Sequence, residues 1–525
     1  MKIEINKYGD VWFDNGLTNF YSILKRIGRN DSGNLFDELN LTPFGLAYSV
    51  KDDKMKEFLQ RLSKYISESL RPAIIVKGKD KKGIEKEFKK DFVLIQRKKI
   101  NGVVILKEKI FQNGQTEKEL KEIYSNLTEG KNRCFLCGRS FKKPIKKLQQ
   151  ASYPFVTKIK SLSGIRSGPG TKLKEYESAY CPQCYLIGIL EWLDGSIIYN
   201  VVYDKSKSVL ILPYSDDLNK LYELKRILDR LLNNTSRTCN IRREQGKDDV
   251  IHPEGKFATF VSFYEMFLLN IPDLFGAYDL SNWYIMESGL KNVKNPKLHK
   301  LNVQPPVVSL IKNLLKDCEV RFYRDFVMMF YAFKKKKDSN NIRNLEKELK
   351  EKLCESFVND DFEKFASCFV PSRGTNIGLK KEAYQSLEKI LLKWRLKGMS
   401  NIEKEDLFET LKKAGENLSK LIKNRMSLFF KFEKAKSKSE ILKILEEIIR
   451  RLAVDKGNFE TNYGEWKKLK PQDKKKIEYV NKASIEKAID LIIKKGDDRK
   501  FLEDVKNILL IYMSLNIKTK NNEED

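Results

Sequence analysis

Two Cys-x-x-Cys pairs constrain this chain more than any other feature in it. Cys134-Phe-Leu-Cys137 is followed directly by Gly138, and 43 residues separate it from Cys181-Pro-Gln-Cys184. A two-residue gap lets both sulfurs of a pair reach one ion, and a glycine just after the pair suits the tight turn. Four soft sulfurs in that geometry select Zn²⁺, or less often iron. The spacing exceeds the roughly 15–20 residues of a zinc ribbon. A closed site would therefore tie off a large loop. Residues 131–180 hold 12 Lys/Arg against 2 Glu, a net of +10 within a chain of +29. A redox role is disfavoured by the presence of two such pairs, and a disulfide framework by a long Lys-rich chain without a secretion signal. Cys134, Cys137, Cys181 and Cys184 are read as ligands of a structural Zn²⁺, because four thiolates leave no open position for a catalytic water.

At 525 residues the chain has room for two to four domains. Its 41% hydrophobic content is enough for real cores. The balance of 101 basic against 72 acidic residues favours a polyanionic partner, most simply DNA or RNA. A membrane surface is the rival polyanion. No run of about 18 apolar residues, signal peptide or lipidation motif is present, so no membrane association and a cytoplasmic location are expected. The remaining cysteines (Cys239, Cys318, Cys354, Cys368) are scattered and read as buried, reduced thiols. Only two histidines occur, His252 and His299, and neither has an acidic or histidine neighbour in a ligand or base pattern. That scarcity argues against histidine nucleases and most hydrolases. Walker, dinucleotide-binding and Gly-Gly-Asp-Asp motifs are absent from the sequence. The expectation is a protein that is not an enzyme.

The periodicities predict an α+β protein. A mixed α/β region spans 1–130, a four-cysteine module with its basic loop is inserted at 131–195, a mixed then helical core region covers 196–377, and a helical bundle fills 378–525. Near the start, Ile3-Glu4-Ile5 alternates like a strand. Leu17, Phe20, Tyr21, Leu24 and Ile27 share a helix face that Gly28 ends, with Asp14 or Asn15 as its cap. A second helix is expected over 53–70. The runs 73–76, 92–95 and 103–106 read as strands, and the lysine-rich 79–90 as a solvated hairpin loop. A helix is expected near 117–127, and another over 185–193 that docks the cysteine site to the core. Strands follow at 197–203 and 209–212, then a helix at 216–232. Helix patterns dominate from about 255. Phe322, Phe326, Val327, Met329, Phe330 and Phe333 form an aromatic core face, with Lys334–Lys337 a solvated helix end. Leu387 to Trp394, Leu407 to Ile422, Ile441 to Leu452, Ile485 to Ile492 and Leu502 to Tyr512 give the bundle helices.

The loop supplies candidate phosphate contacts in Lys142, Lys143, Lys146, Lys147, Arg166, Lys172 and Lys174. It also carries glycines that admit close backbone approach and aromatics that can stack on bases. Arg242 and Arg243 lie in a second basic segment, also expected to be a loop. The bland alternative for both is a solvated surface.

The opening Gly9-Asp10 through Asn15-Gly16-Leu17, the Cys134/Cys137-Gly138 and Cys181/Cys184 pairs, and a helical C-terminal unit occur together here in one basic chain. In this combination it resembles the large subunit of type I CRISPR–Cas Cascade complexes, closest to the zinc-binding Cst-type branch of type I-B systems. The matching residues are a small part of the length, and the cysteine motif alone is shared with many unrelated proteins. The resemblance implies a subunit without a catalytic centre. It would bind the crRNA near its 5′ handle and inspect a protospacer-adjacent motif in target double-stranded DNA. It would support strand opening and favour docking of a helicase–nuclease in trans. Backbone, handle-binding and small subunits would be its partners. The segment from about 378 fits the small-subunit slot. A separate small subunit can arise from an internal start, for which Met399 and Met426 are positioned. Two alternatives stand beside this reading. One is a zinc-ribbon nucleic-acid enzyme, a nuclease or polymerase-like effector, using acidic pairs such as Asp10/Asp14 or Asp360/Asp361. The other is a structural assembly protein with a basic surface.

Overall fold

A computed structural model of the protein describes residues 2–28, 34–69, 74–79, 85–90, 95–100, 103–108, 115–127, 130–145, 152–153, 180–194, 196, 198–202, 207–231, 253–272, 274–289, 297–334, 339–371, 375–395, 401–423, 425–455 and 457–517. The fold is α+β, mixed at the N-terminal end, mainly helical at the C-terminal end, with the four cysteines clustered between. Two compact units emerge: Met1–His252 with Asn270–Val303, and Pro253–Leu269 with Gln304–Asp525.

In the first unit, β1 (Lys2–Asn6) leads into α1 (Val11–Gly28), then β2 (Phe36–Thr42) and β3 (Gly45–Val50) form a hairpin. The sheet order is β1-β3-β2, antiparallel throughout. Ile3 and Ile5 alternate inward, as the period-2 pattern requires. α1 is buried on nearly all sides, with Trp12, Phe13, Leu17, Phe20 and Leu24 fully covered. α2 (Met55–Ser69) shows a narrower apolar stripe of Phe58, Leu59, Leu62 and Ile66. Two hairpins follow, β4 (Ile74–Lys79) with β5 (Glu85–Lys90), and β6 (Ile95–Ile100) with β7 (Val103–Glu108). Then come α3 (Thr116–Ser125), the short pair β8 (Asn132–Arg133) and β9 (Ser140–Phe141), and α4 (Pro182–Leu190). β10 (Ile198–Val202), β11 (Lys207–Pro213) and α5 (Leu218–Leu231) precede α6 (Lys256–Asn270), which falls in the second unit except for its last residue. β12 (Asn282–Gly289) and β13 (Lys297–Asn302) return to the first unit and complete the antiparallel sheet β10-β11-β12-β13.

The second unit continues with α7 (Pro305–Lys316), β14 (Phe330–Lys334), α8 (Ser339–Val358), α9 (Phe362–Ser367), β15 (Thr375–Leu379) and α10 (Ala383–Trp394). Its end comprises α11 (Asn401–Ile422), α12 (Met426–Lys434), α13 (Lys438–Val454), β16 (Phe459–Glu460), α14 (Tyr463–Lys468), α15 (Pro471–Lys474), β17 (Glu478–Tyr479), α16 (Lys482–Lys495) and α17 (Arg499–Asn516). α11 packs against α16 and α17, burying Leu411, Leu418, Leu421, Ile485, Ile492, Val505 and Leu509. A capping box at Ser437 and Glu440 starts α13.

Several expectations are corrected. α1 begins at Val11. Its cap is Asp10, whose Oδ1 accepts from the Trp12 and Phe13 amides, so Asp14 and Asn15 lie inside the helix. The segment 79–90 is not one loop, since 85–90 pairs with β4, and pairing with the apolar 74–76 run overrides the low strand propensity of its Lys and Glu residues. Of the run 92–95, residues 92–94 lie outside the described residues, and Ile95 opens β6, which continues through a polar stretch. β2, β3, β12 and β13 have no counterpart in the sequence reading. The aromatic stretch 322–333 is a π-turn, a 3₁₀ turn and a strand, not one helix. Its core role holds: Phe322, Phe326, Val327 and Phe330 are fully buried. Lys334 ends a strand rather than a helix.

Candidate metal centre

The first knuckle is built by β8 and β9. Gly138 takes φ +71° and donates its amide to the Cys134 carbonyl at 2.9 Å, while the Cys134 amide donates to Arg139 O at 2.8 Å. A side chain at φ +71° would be strained, which is the local reason for glycine here. The second knuckle is a helix start. Cys181 is the N-cap of α4, Pro182 occupies the first turn, and Cys181 Sγ accepts the Cys184 amide at 3.4 Å. Proline suits that turn because its missing N–H would have no partner there anyway. The helix N-terminus favours negative charge on both sulfurs.

The two knuckles meet. Cys134 Sγ lies 3.7 Å from Cys184 Sγ, and Cys137 Sγ 3.6 Å from Cys181 Sγ. All four sulfurs lie within 4.8 Å of one another. Metal–sulfur bonds of about 2.3 Å in a tetrahedron place sulfurs roughly 3.8 Å apart, so the set fits an ion such as zinc. Cys134, Cys181 and Cys184 are buried and Cys137 is half-buried. Electrostatics favour the same conclusion. Hydrogen bonds from Cys137, Cys181 and Cys184 hold the Cys134 thiol far below its usual range. Cys181, facing Cys134, and Cys184, chiefly through burial, are pushed well above theirs. Ionising all four together requires a cation between them.

The N-terminal motif and the cysteines form one site. The Tyr8 hydroxyl lies 3.3 Å from Cys184 Sγ. Burial raises its pKa well above the usual range, so the hydroxyl keeps a proton that it can donate to a Cys184 thiolate. The Tyr8 amide donates to Asp14 Oδ1 at 2.7 Å. Trp12 Nε1 donates to Gly188 O at 2.9 Å and to Ser152 O at 3.0 Å. Tyr153 stacks on Phe13 at 5.2 Å and donates to Asp10 Oδ2 at 2.7 Å. A Cβ on Gly188 would sit 2.1 Å from Ser152 O, and one on Gly16 2.9 Å from Ile187 O. α1 therefore seats both α4 and residues 152–153, which lie within the basic 131–180 stretch. Arg139 donates to Glu4 O, tying the first knuckle to β1.

Beneath it lies a buried ion cluster. Lys225 Nζ donates to Asn15 O at 2.7 Å and to Glu191 at 3.1 Å, and pairs with Asp194. One ammonium faces two carboxylates. Burial pushes Glu191 up to about 8. Burial would lower Lys225, but the two carboxylates outweigh it and hold it protonated.

Among the predicted polyanion contacts, Lys142 and Lys143 are exposed just past the first knuckle, with Lys143 3.9 Å from Glu122. Lys146, Lys147, Arg166, Lys172, Lys174, Arg242 and Arg243 lie outside the described residues, as do Cys239 and His252. Cys354 and Cys368 are buried free thiols and Cys318 is half-buried. The acidic pairs weighed for an enzyme are otherwise engaged. Asp10 caps α1, and Asp361 caps α9 through the Lys364 amide at 2.9 Å. Asp360 accepts from Trp394 Nε1 at 2.6 Å and from Arg395 at 3.2 Å. Sequence reasoning missed Tyr8, Trp12, Ser152 and Gly188. Nothing in a single sequence links Tyr8 to a sulfur 176 residues away. Among the described residues no helix is long and apolar enough to cross a membrane. Compared with known proteins, the chain matches no family model and no curated protein.

Proposed function

We propose that this chain is the non-catalytic large subunit of a crRNA-guided type I CRISPR interference complex. One observation carries the reading: the Gly9–Leu17 segment, with Tyr8 just before it, and the four cysteines, the two motifs behind the resemblance, pack into a single site, and the basic 131–180 stretch lies between its two cysteine pairs in the sequence. In this reading the cysteines hold a structural Zn²⁺, coordinated by Cys134, Cys137, Cys181 and Cys184 with Tyr8 hydrogen-bonded behind. The ion staples both ends of the basic stretch. The stretch then contacts the crRNA handle region and target duplex DNA, inspects the protospacer-adjacent motif and supports strand opening. Its chemistry suits that task, because guide pairing supplies sequence specificity and the protein needs few base contacts. Helicase–nuclease recruitment and binding of the other Cascade subunits follow from the same reading.

The test is to tag the chain in its source cells, purify it gently and sequence the RNA that comes with it. Short RNAs made of a constant repeat fragment plus variable spacers are expected. Bulk RNA or none, with zinc still bound, would sink the reading.

A further inference from the structure

The second unit holds a cavity of about 100 Å³ where α9, the joint between α12 and α13, and α17 come together. One wall is apolar, made by Ala435, Ile441 and Leu502. The rest is polar. Glu363 comes from α9 and Lys436 from the joint, while Arg499, Glu503, Lys506 and Asn507 lie on one stripe of α17.

Two of these polar side chains are deeply buried. Lys506 is 9% exposed and donates from Nζ to Ala435 O at 2.8 Å. An ammonium has three N–H groups, so two remain without an acceptor among the described residues. Asn507 is 5% exposed, and its side-chain amide has no hydrogen-bond partner among the described residues. A buried amide left unpaired is costly, and such groups are normally completed by water or a ligand.

The charges say which ligand. Lys436, Arg499 and Lys506 stand against Glu363 and Glu503, a net of +1. Arg499 Nε already pairs with Glu503 Oε1 at 3.0 Å on the exposed rim. Lys436 and Glu363 make no ion pair among the described residues. One bound monoanion therefore makes the set neutral. Burial also holds the Lys506 ammonium below the usual lysine range, and an anion beside it would reverse that.

We propose that this cavity binds a small organic monocarboxylate. Its oxygens accept from Lys506 Nζ and the Asn507 amide, and its alkyl tail packs on Ala435, Ile441 and Leu502. An inorganic anion would leave the apolar wall unused, and a multiply charged one would overshoot the +1. A cavity of about 150 Å³ takes a six-carbon ring, so roughly four or five heavy atoms fit here. The proposal does not rest on the CRISPR reading, because it needs only the residues of this cavity.

The test uses the full-length chain, sodium propionate as the probe and saturation-transfer NMR on its methyl protons, with sodium chloride holding ionic strength constant. Saturable binding is expected, with a Kd on the order of 1 mM for so small a ligand. Acetate should bind about 4-fold more weakly, the increment for one buried CH₂. Asn507→Leu should weaken propionate binding by about 10- to 150-fold, the range for one hydrogen bond to a charged group. Its melting temperature without ligand should not fall, because the variant removes a buried amide that the fold leaves unpaired. Lys436 is exposed, so Lys436→Ala should keep the wild-type circular dichroism and weaken binding by about 2- to 5-fold. That second variant keeps the test decisive if Asn507→Leu fails to fold. Absence of saturable binding by the wild type would overturn the proposal and leave the cavity to water. Wild-type affinity in both variants would overturn it too, placing propionate elsewhere on the chain. Inorganic phosphate displacing propionate more effectively than acetate does would overturn the assignment to a carboxylate. Each of these results is independent of whether crRNA copurifies.

Discussion

The hydroxyl of Tyr8 is a side-chain hydrogen-bond partner of the sulfur cluster from outside the cysteines, 3.3 Å from Cys184 Sγ, and donates when that sulfur is a thiolate. Outer-shell partners of this kind steady a ligand and lower the cost of its negative charge. Tyr8→Phe keeps the ring, which packs 5.2 Å from Phe13, and removes only the donor. It should leave the fold intact and weaken metal affinity by roughly 10–100-fold in a chelator competition. Cys134→Ser removes a ligand outright, so bound metal should fall to near zero by elemental analysis and the first unit should lose its cooperative melting transition. Asp14 makes a prediction of opposite pH character to most carboxylates. It is fully buried, and burial raises its pKa to about 6 despite the Tyr8 amide it accepts. A carboxyl whose folded pKa lies above its unfolded value of roughly 3.9 costs stability when charged. That cost is full above about pH 6 and is relieved as pH falls from there towards 4. Asp14→Asn should therefore remove a pH-dependent term on the order of 3 kcal/mol, read as the difference between wild-type and variant urea stabilities at pH 7 and pH 4.

At the scale of elements, close backbone approach decides what the chain tolerates. α4 lies against the 152–153 segment so tightly that a Cβ at Gly188 would meet Ser152 O at 2.1 Å. Gly188→Ala must push that segment or α1 away, and should cost about 1–3 kcal/mol in urea unfolding. The same accounting applies to α11 in the second unit. It buries Leu411, Leu418 and Leu421 against α16 and α17, with a Cβ at Gly415 only 2.7 Å from Tyr512 Cβ. A product starting at Met426 would lack all of α11, whereas one starting at Met399 would keep it. The shorter product should not melt cooperatively by circular dichroism. How much of this could be read from residues alone depended on the range of the interaction. The cysteine pairs were legible because both ligands of a knuckle sit three residues apart, and the helices of the second unit because their stripes repeat every turn. The cap at Asp10 was missed because Asp14 and Asn15 are equally good cap formers, and only tertiary burial draws them inside the helix. The aromatic run 322–333 was misread because burial, not period, governs it: Phe322 stacks on Phe357 at 3.7 Å, and Glu265 accepts the Phe322 and Tyr323 amides.

For the whole molecule, what binds it depends on a net charge of +29 and on where that charge sits. Residues 131–180 supply +10 of it between two cysteine knuckles. If the charge were merely a solubilising surface, removing four lysines from one place would change binding to a polyanion little, because each contributes only to a diffuse field. If the stretch is a contact surface, each lysine replaced releases one fewer counterion on binding. The slope of log affinity against log salt then drops by about 0.9 per duplex phosphate lost. Changing Lys142, Lys143, Lys146 and Lys147 to Ala should accordingly lower the slope by roughly 3–4 on duplex DNA, with metal content unchanged. Lys142 and Lys143 are exposed immediately beyond the first knuckle, so their removal leaves the sulfur site in place and keeps the measurement one of binding. A slope equal to that of the wild type would remove this stretch from the interface and leave the molecule's charge without a local purpose there.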